Sequence, residues 1–76
     1  MQVDILTPDT TLFSGDATIV TLPGINGSFQ IMNMHAPMIS ALSKGKVVVS
    51  NGSEKHEFPV NGGIVEVVDN RIVILA

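Results

Sequence analysis

Apolar and polar residues alternate in short runs that turn residues interrupt every few positions, the period-two pattern of strands with one dry and one wet face. Val3 and Ile5 alternate with Gln2 and Asp4 until Pro8 stops the first run. Leu12-Phe13 leads into Ser14-Gly15-Asp16, which reads as a turn cluster, and Ala17 to Leu22 is a run that ends at Pro23. Val47-Val48-Val49 and His56-Glu57-Phe58 flank Asn51-Gly52-Ser53, and Asn-Gly is the pair favoured in a type I′ hairpin turn. In the second arm His56, Phe58 and Val60 share one face while Lys55 and Glu57 share the other, so Pro59 is expected at an edge or a bulge. Phe13 and Phe58 are assigned to the core. Ile64 to Val68 and Ile72 to Leu75 make a further hairpin across Asp69-Asn70, and Gly62-Gly63 before it permits a bulge or a close backbone approach. Short strands at this spacing predict a sandwich or barrel.

The stretch from Val20 to Met38 is the least regular. Pro23-Gly24 suits one tight turn and Asn26-Gly27 a second, which leaves room for a protruding loop followed by a short strand at Ser28-Phe29-Gln30-Ile31. Met32, Met34 and Met38 cluster around His35, and flexible, polarizable side chains beside a turn suit an adaptable apolar contact patch. Residues 37–45 stay open between strand and short helix. Proline in the first turn and glycine after the last favour the helix.

Composition narrows the function. At 45% hydrophobic and 14% charged, the chain is built to fold, and at 76 residues its stability is expected to be roughly 4–11 kcal/mol. A net charge of −3 with four basic residues offers no footprint for a phosphate backbone, so nucleic acid is not an expected partner. No cysteine is present to form a disulfide or a thiolate metal site. No run approaches eighteen apolar residues, so any work at a membrane is expected to come through another protein rather than by direct insertion.

No catalytic, metal or nucleotide site assembles from the residues. His35 has no carboxylate or nucleophile near it in sequence, and His56 and Glu57, adjacent on a strand, point to opposite faces. Gly45-Lys46 looks like the end of a phosphate loop, but Val47 stands where Ser or Thr is required. Ser28 lacks a partner base, and the carboxylates are scattered without an evident pair.

Read in order, four blocks carry a resemblance. They are Ile5-Leu6-Thr7-Pro8 with Leu12-Phe13-Ser14-Gly15; Val20 to Phe29 through Leu22-Pro23-Gly24; His35-Ala36-Pro37-Met38 running into Ala41-Leu42; and Gly62 to Val67 with Asn70 to Ala76. In this order they resemble the N-terminal β-sandwich of the epsilon subunit of bacterial F-type ATP synthase, the counterpart of the mitochondrial delta subunit. The resemblance implies an all-β fold, a flattened sandwich of two mostly antiparallel sheets with about ten short strands, with residues 1–76 as one domain. It turns the segment from Met38 to Leu42 into a strand.

The resemblance also implies a non-catalytic rotor subunit in the central stalk, which binds the gamma subunit, rests against the c-subunit ring and helps couple ion flow to ATP synthesis. It would sit peripherally on the cytoplasmic side of the bacterial membrane and need no cofactor. By family position, Thr7, His35 and Ser40 would face gamma, with Met38 and Ile39 adding apolar area, and Ser28 would lie in the loop directed at the ring. This chain departs from the family at Gln30 and at Asn33-Met34, where a glycine and a Pro-Gly are common. The sequence ends at Ala76, where the family usually continues into an inhibitory helical hairpin, so the expectation is a subunit without that brake. The rival reading is a small β-sandwich adaptor for an unrelated protein.

Overall fold

Alternation decides this fold, because each strand carries an inward apolar set that needs a second layer to cover it. The computed structural model describes residues 1–76 and holds nine strands and no helix. The strands are β1 (Gln2–Leu6), β2 (Thr11–Asp16), β3 (Ile19–Gly24), β4 (Gly27–Met32), β5 (Met38–Leu42), β6 (Gly45–Asn51), β7 (Glu54–Val60), β8 (Gly63–Val68) and β9 (Arg71–Leu75). One layer runs β2-β1-β9-β8-β5 and the other runs β4-β3-β6-β7. Every pairing is antiparallel except β1 with β9.

The two layers are joined on one side by a single pair, Gly24 with Leu42. On the other side the edge strands β2 and β7 meet through side chains: Phe13 lies 5.6 Å from the rings of both Phe58 and His56. The result is a sandwich that almost closes into a barrel. Between the layers lie Val3, Ile5, Val65, Val67, Ile72 and Ile74 from one sheet and Val20, Leu22, Ile31, Val47 and Val49 from the other, all essentially without exposure. No polar side chain is buried with them. At one end the Met1 ammonium group donates to Asp16 Oδ1, the Ala17 carbonyl and Asn33 Oδ1 at 3.1, 2.9 and 2.8 Å, tying the start of β1 to the segment after β4.

Several local expectations change. Residues 38–42 form a strand, not a helix, because all five pair with β8, from Met38 with Val67 to Leu42 with Gly63. That ladder satisfies the backbone and puts Leu42 in the core, whereas an isolated helix this short has too few internal bonds to offset its nucleation. Ser14-Gly15-Asp16 is the end of β2, not a turn, since it pairs with Gln2 to Asp4. Pro23 and Gly24 belong to β3, so the expected double reversal is one hairpin with Ile25 and Asn26 at its tip. Pro23, which has no N–H to donate, is tolerated there because the β3–β6 ladder ends at Thr21, and its carbonyl accepts from the Ser43 amide at 2.7 Å.

The β6–β7 hairpin turns one residue later than Asn-Gly predicts. Asn51 pairs with Glu54, and of the two tip residues only Gly52 has a positive φ, 64°, which is the type II′ pattern. Asp69 and Asn70 both take positive φ, 51° and 60°, as a type I′ turn requires. At Gly63 the close approach is real: a Cβ there would run into the Leu75 carbonyl. Pro59 lies on β7, an edge strand, as expected. Phe13 and Phe58 are half-buried rather than central, since each sits on an outermost strand with only part of its ring covered by the core.

Candidate protein-docking face

Outward positions of the five-stranded sheet divide into a polar and an apolar half. On the polar half, Asp4 accepts from the Ser14 hydroxyl at 2.7 Å, from Arg71 at 3.1 Å and from Gln2 at 3.4 Å. The Ser14 hydrogen bond is the largest influence on Asp4, and with Arg71 and Gln2 it outweighs partial desolvation and holds the carboxyl below the usual aspartate range. These partners are internal to the sheet, so this half is already satisfied.

The apolar half belongs to β5, β8 and β9. Register places Ile39 beside Glu66 and Glu66 beside Val73, with Ala41, Ile64 and Leu75 in the next row. Ile39 is 68% exposed and Leu75 53%, with Ile64 and Val68 at 44% and 45%. Four of the eight exposed large hydrophobic side chains thus share one sheet face. Leu6, Thr7, Pro8, Leu75 and Ala76 line a shallow recess of about 350 Å3 at one end of it. A second recess, about 430 Å3, is lined by Glu66, Val68, Asp69, Arg71 and Val73. A small domain leaves such a surface uncovered only at a cost in solubility, which makes it the candidate contact face.

The residues singled out in the sequence spread around this face. Ile39 lies on it. Thr7 lies at the recess, and its hydroxyl is engaged locally, donating to the Thr10 carbonyl at 3.1 Å and accepting from the Thr10 amide at 3.0 Å. Met38 and Ser40 alternate with Ile39 and turn toward the interior, where both are half-covered. His35 is exposed beyond the start of β5, at the opposite end of the sheet from Thr7; its Nδ1 lies 2.7 Å from the Ala36 carbonyl oxygen. The methionine cluster separates: Met32 and Met34 are exposed, whereas Met38 packs against the core. Met34 takes φ 64° and its amide donates to Asn70 Oδ1 at 2.8 Å. Ser28 is exposed on β4 beside the hairpin tip, where Ile25 is 63% exposed.

Sequence reading did not identify Ile64, Glu66, Val68 and Leu75. The signal was available, because β8 is apolar at both inward and outward positions, Val65 and Val67 as well as Ile64 and Val68. A strand with a solvated face would alternate more cleanly.

Comparison with known proteins agrees with this architecture. The model of the ATP synthase delta/epsilon chain β-sandwich domain matches residues 1–76. The ATP synthase epsilon chain of Chlorobium limicola is 43% identical over 75 residues, covering 97% of this chain and 85% of that protein. That of Salinibacter ruber is 41% identical over 86 residues, covering 100% of this chain and 57% of its own length, so this chain spans little more than half of such longer relatives. A chain in the Tetrahymena thermophila mitochondrial ATP synthase central stalk and c ring superimposes with a TM-score of 0.84 at 25% identity, over 97% of this chain and 60% of that one. A chain of the Euglena gracilis mitochondrial ATP synthase, at 18% identity and TM-score 0.89, shares the fold over 97% of this chain and 48% of its own. With the family model spanning every residue and the strands forming the expected sandwich, the chain belongs to the ATP synthase delta/epsilon family, as its β-sandwich domain.

Proposed function

We propose that this domain is a central-stalk rotor element of an F-type ATP synthase, docking on the gamma subunit and seating on the c-subunit ring so that ion flow is coupled to ATP synthesis. Epsilon chains are non-catalytic, and the role here is mechanical. The observation that carries the gamma contact is the exposed apolar half of the five-stranded sheet, with Ile39, Ile64 and Leu75 in adjacent rows. Thr7 borders that face, and Met38, Ser40 and His35 follow one another along the edge segment that leads into and through β5. The β3–β4 hairpin, with Ile25 at its tip and Ser28 beside it, is the part offered to the ring. A rotor element of this kind is peripheral, held at the cytoplasmic side of the bacterial membrane by its partners.

Titration of the purified chain with gamma tests the assignment. Ile39→Asp and Ile64→Asp should each weaken binding at least tenfold without lowering the melting temperature, because both side chains are exposed in the free domain and would carry a charge into a dry interface. A bulky charged residue at Ser28 should leave gamma affinity unchanged and disturb seating on the ring. Unaltered gamma binding by both isoleucine variants would reject the face.

A further inference from the structure

Glu66 has apolar side chains as its nearest outward neighbours and shares a recess with Asp69 and Arg71. Across the sheet its neighbours are Ile39 on β5 and Val73 on β9; along its own strand the next outward residues are Ile64 and Val68. Its carboxylate takes part in none of the four ion pairs of the protein and in no side-chain hydrogen bond, and the nearby cation, Arg71, is held by Asp4 at 3.1 Å. In the free domain water serves the carboxylate. Once a partner covers the surrounding isoleucine and valines that water is gone, and an unpaired carboxylate there would oppose the binding that the apolar ring favours.

We infer that the gamma subunit, seated on this face, brings an arginine or lysine side chain into the 430 Å3 recess between Glu66 and Asp69, where it pairs with Glu66 inside the ring of Ile39, Ile64, Val68 and Val73. Charge complementarity selects the partner group: Glu66 has no ion-pair partner, and Arg71, the one cation lining the recess, is held by Asp4 at 3.1 Å. A ring of apolar contacts around one desolvated charge pair is the arrangement that concentrates binding energy and sets register. Asp69, out on the β8–β9 turn, is at the rim and should steer encounter rather than hold the complex.

This inference rests on the proposed docking face, and the test separates the two. Association and dissociation rates of the complex with gamma are measured for Glu66→Gln, Glu66→Lys, Asp69→Asn and Ile64→Asp. Glu66→Gln should raise the dissociation rate about 30-fold or more with melting unchanged, and Asp69→Asn should alter mainly the association rate and its salt dependence. Glu66→Lys should bind more weakly still, and reversing one basic residue on the gamma surface to glutamate should restore it. Loss of binding by Ile64→Asp together with native rates for Glu66→Gln would overturn the ion pair and leave the face standing. Native rates for both would overturn the face and the pair together.

Discussion

The aromatic contact between β2 and β7 bridges the open side of the sandwich, so removing it tests the architecture directly. Phe13 and Phe58 have ring centroids 5.6 Å apart with planes inclined at 55°, and His56 adds a second tilted contact to Phe13. A fully buried phenylalanine costs about 3–5 kcal/mol when cut to alanine, and half-buried rings should cost roughly half of that, about 2 kcal/mol each. In a domain of this size 2 kcal/mol lowers the melting temperature by roughly 8–16 °C, and a total stability of about 4–11 kcal/mol leaves each single variant folded. The pair itself should contribute a coupling of about 0.5–1.5 kcal/mol, readable only from a double-mutant cycle. Urea titrations of Phe13→Ala, Phe58→Ala and the double variant give all three quantities. Single losses below about 0.5 kcal/mol, the range of ordinary surface substitutions, with additive behaviour in the double variant, would refute closure through this contact.

Three further outcomes follow from local geometry. Gly24→Ala should destabilise by about 1–3 kcal/mol in urea, because its Cβ would lie 2.7 Å from the Gly27 carbonyl oxygen and 2.8 Å from the Phe29 ring at the junction of the two sheets. Asn70→Ala should cost about 1–2 kcal/mol, since it removes a residue suited to φ 60° and the acceptor of the Met34 amide, and hydrogen exchange at Met34 should accelerate. Asp4 has a folded pKa below its unfolded value, so its contribution is complete above the ordinary aspartate pKa and is lost as pH falls through the depressed value. The acid limb of stability below about pH 4 should therefore be shallower in Asp4→Asn, measured as urea midpoint against pH, while neither protein changes slope from this group between pH 6 and 8.

What the sequence made legible was whatever depends on period and on turn chemistry. Val65, Val67, Ile72 and Ile74 share a buried face because alternation admits only two choices, and Asp69-Asn70 turns tightly because both residues tolerate positive φ. Pro23-Gly24 misled because turn propensity is local, whereas their pairing with Gly27 and Ser28 is fixed by the hairpin as a whole. Residues 38–42 misled for a related reason, since helix-boundary signals say nothing about β8, the strand that captures them.

The candidate site was harder to read because a docking face and a core face use the same residues. β8 carries apolar side chains on both sides, and only the layer order, with β3 and β6 covering one side of the sandwich and nothing covering the other, tells Ile64 from Val65. Glu66 then acquires significance from its neighbours rather than from itself. Along the chain it is one glutamate between two valines, the expected wet position of a strand, but the register brings Ile39 and Val73 to either side and makes it an unpaired carboxylate among exposed apolar side chains. A carboxylate in that setting is tolerable in water and costly under a partner unless the partner supplies a cation, which is why the proposed pairing assigns the specificity of this face to a residue that looked ordinary in sequence.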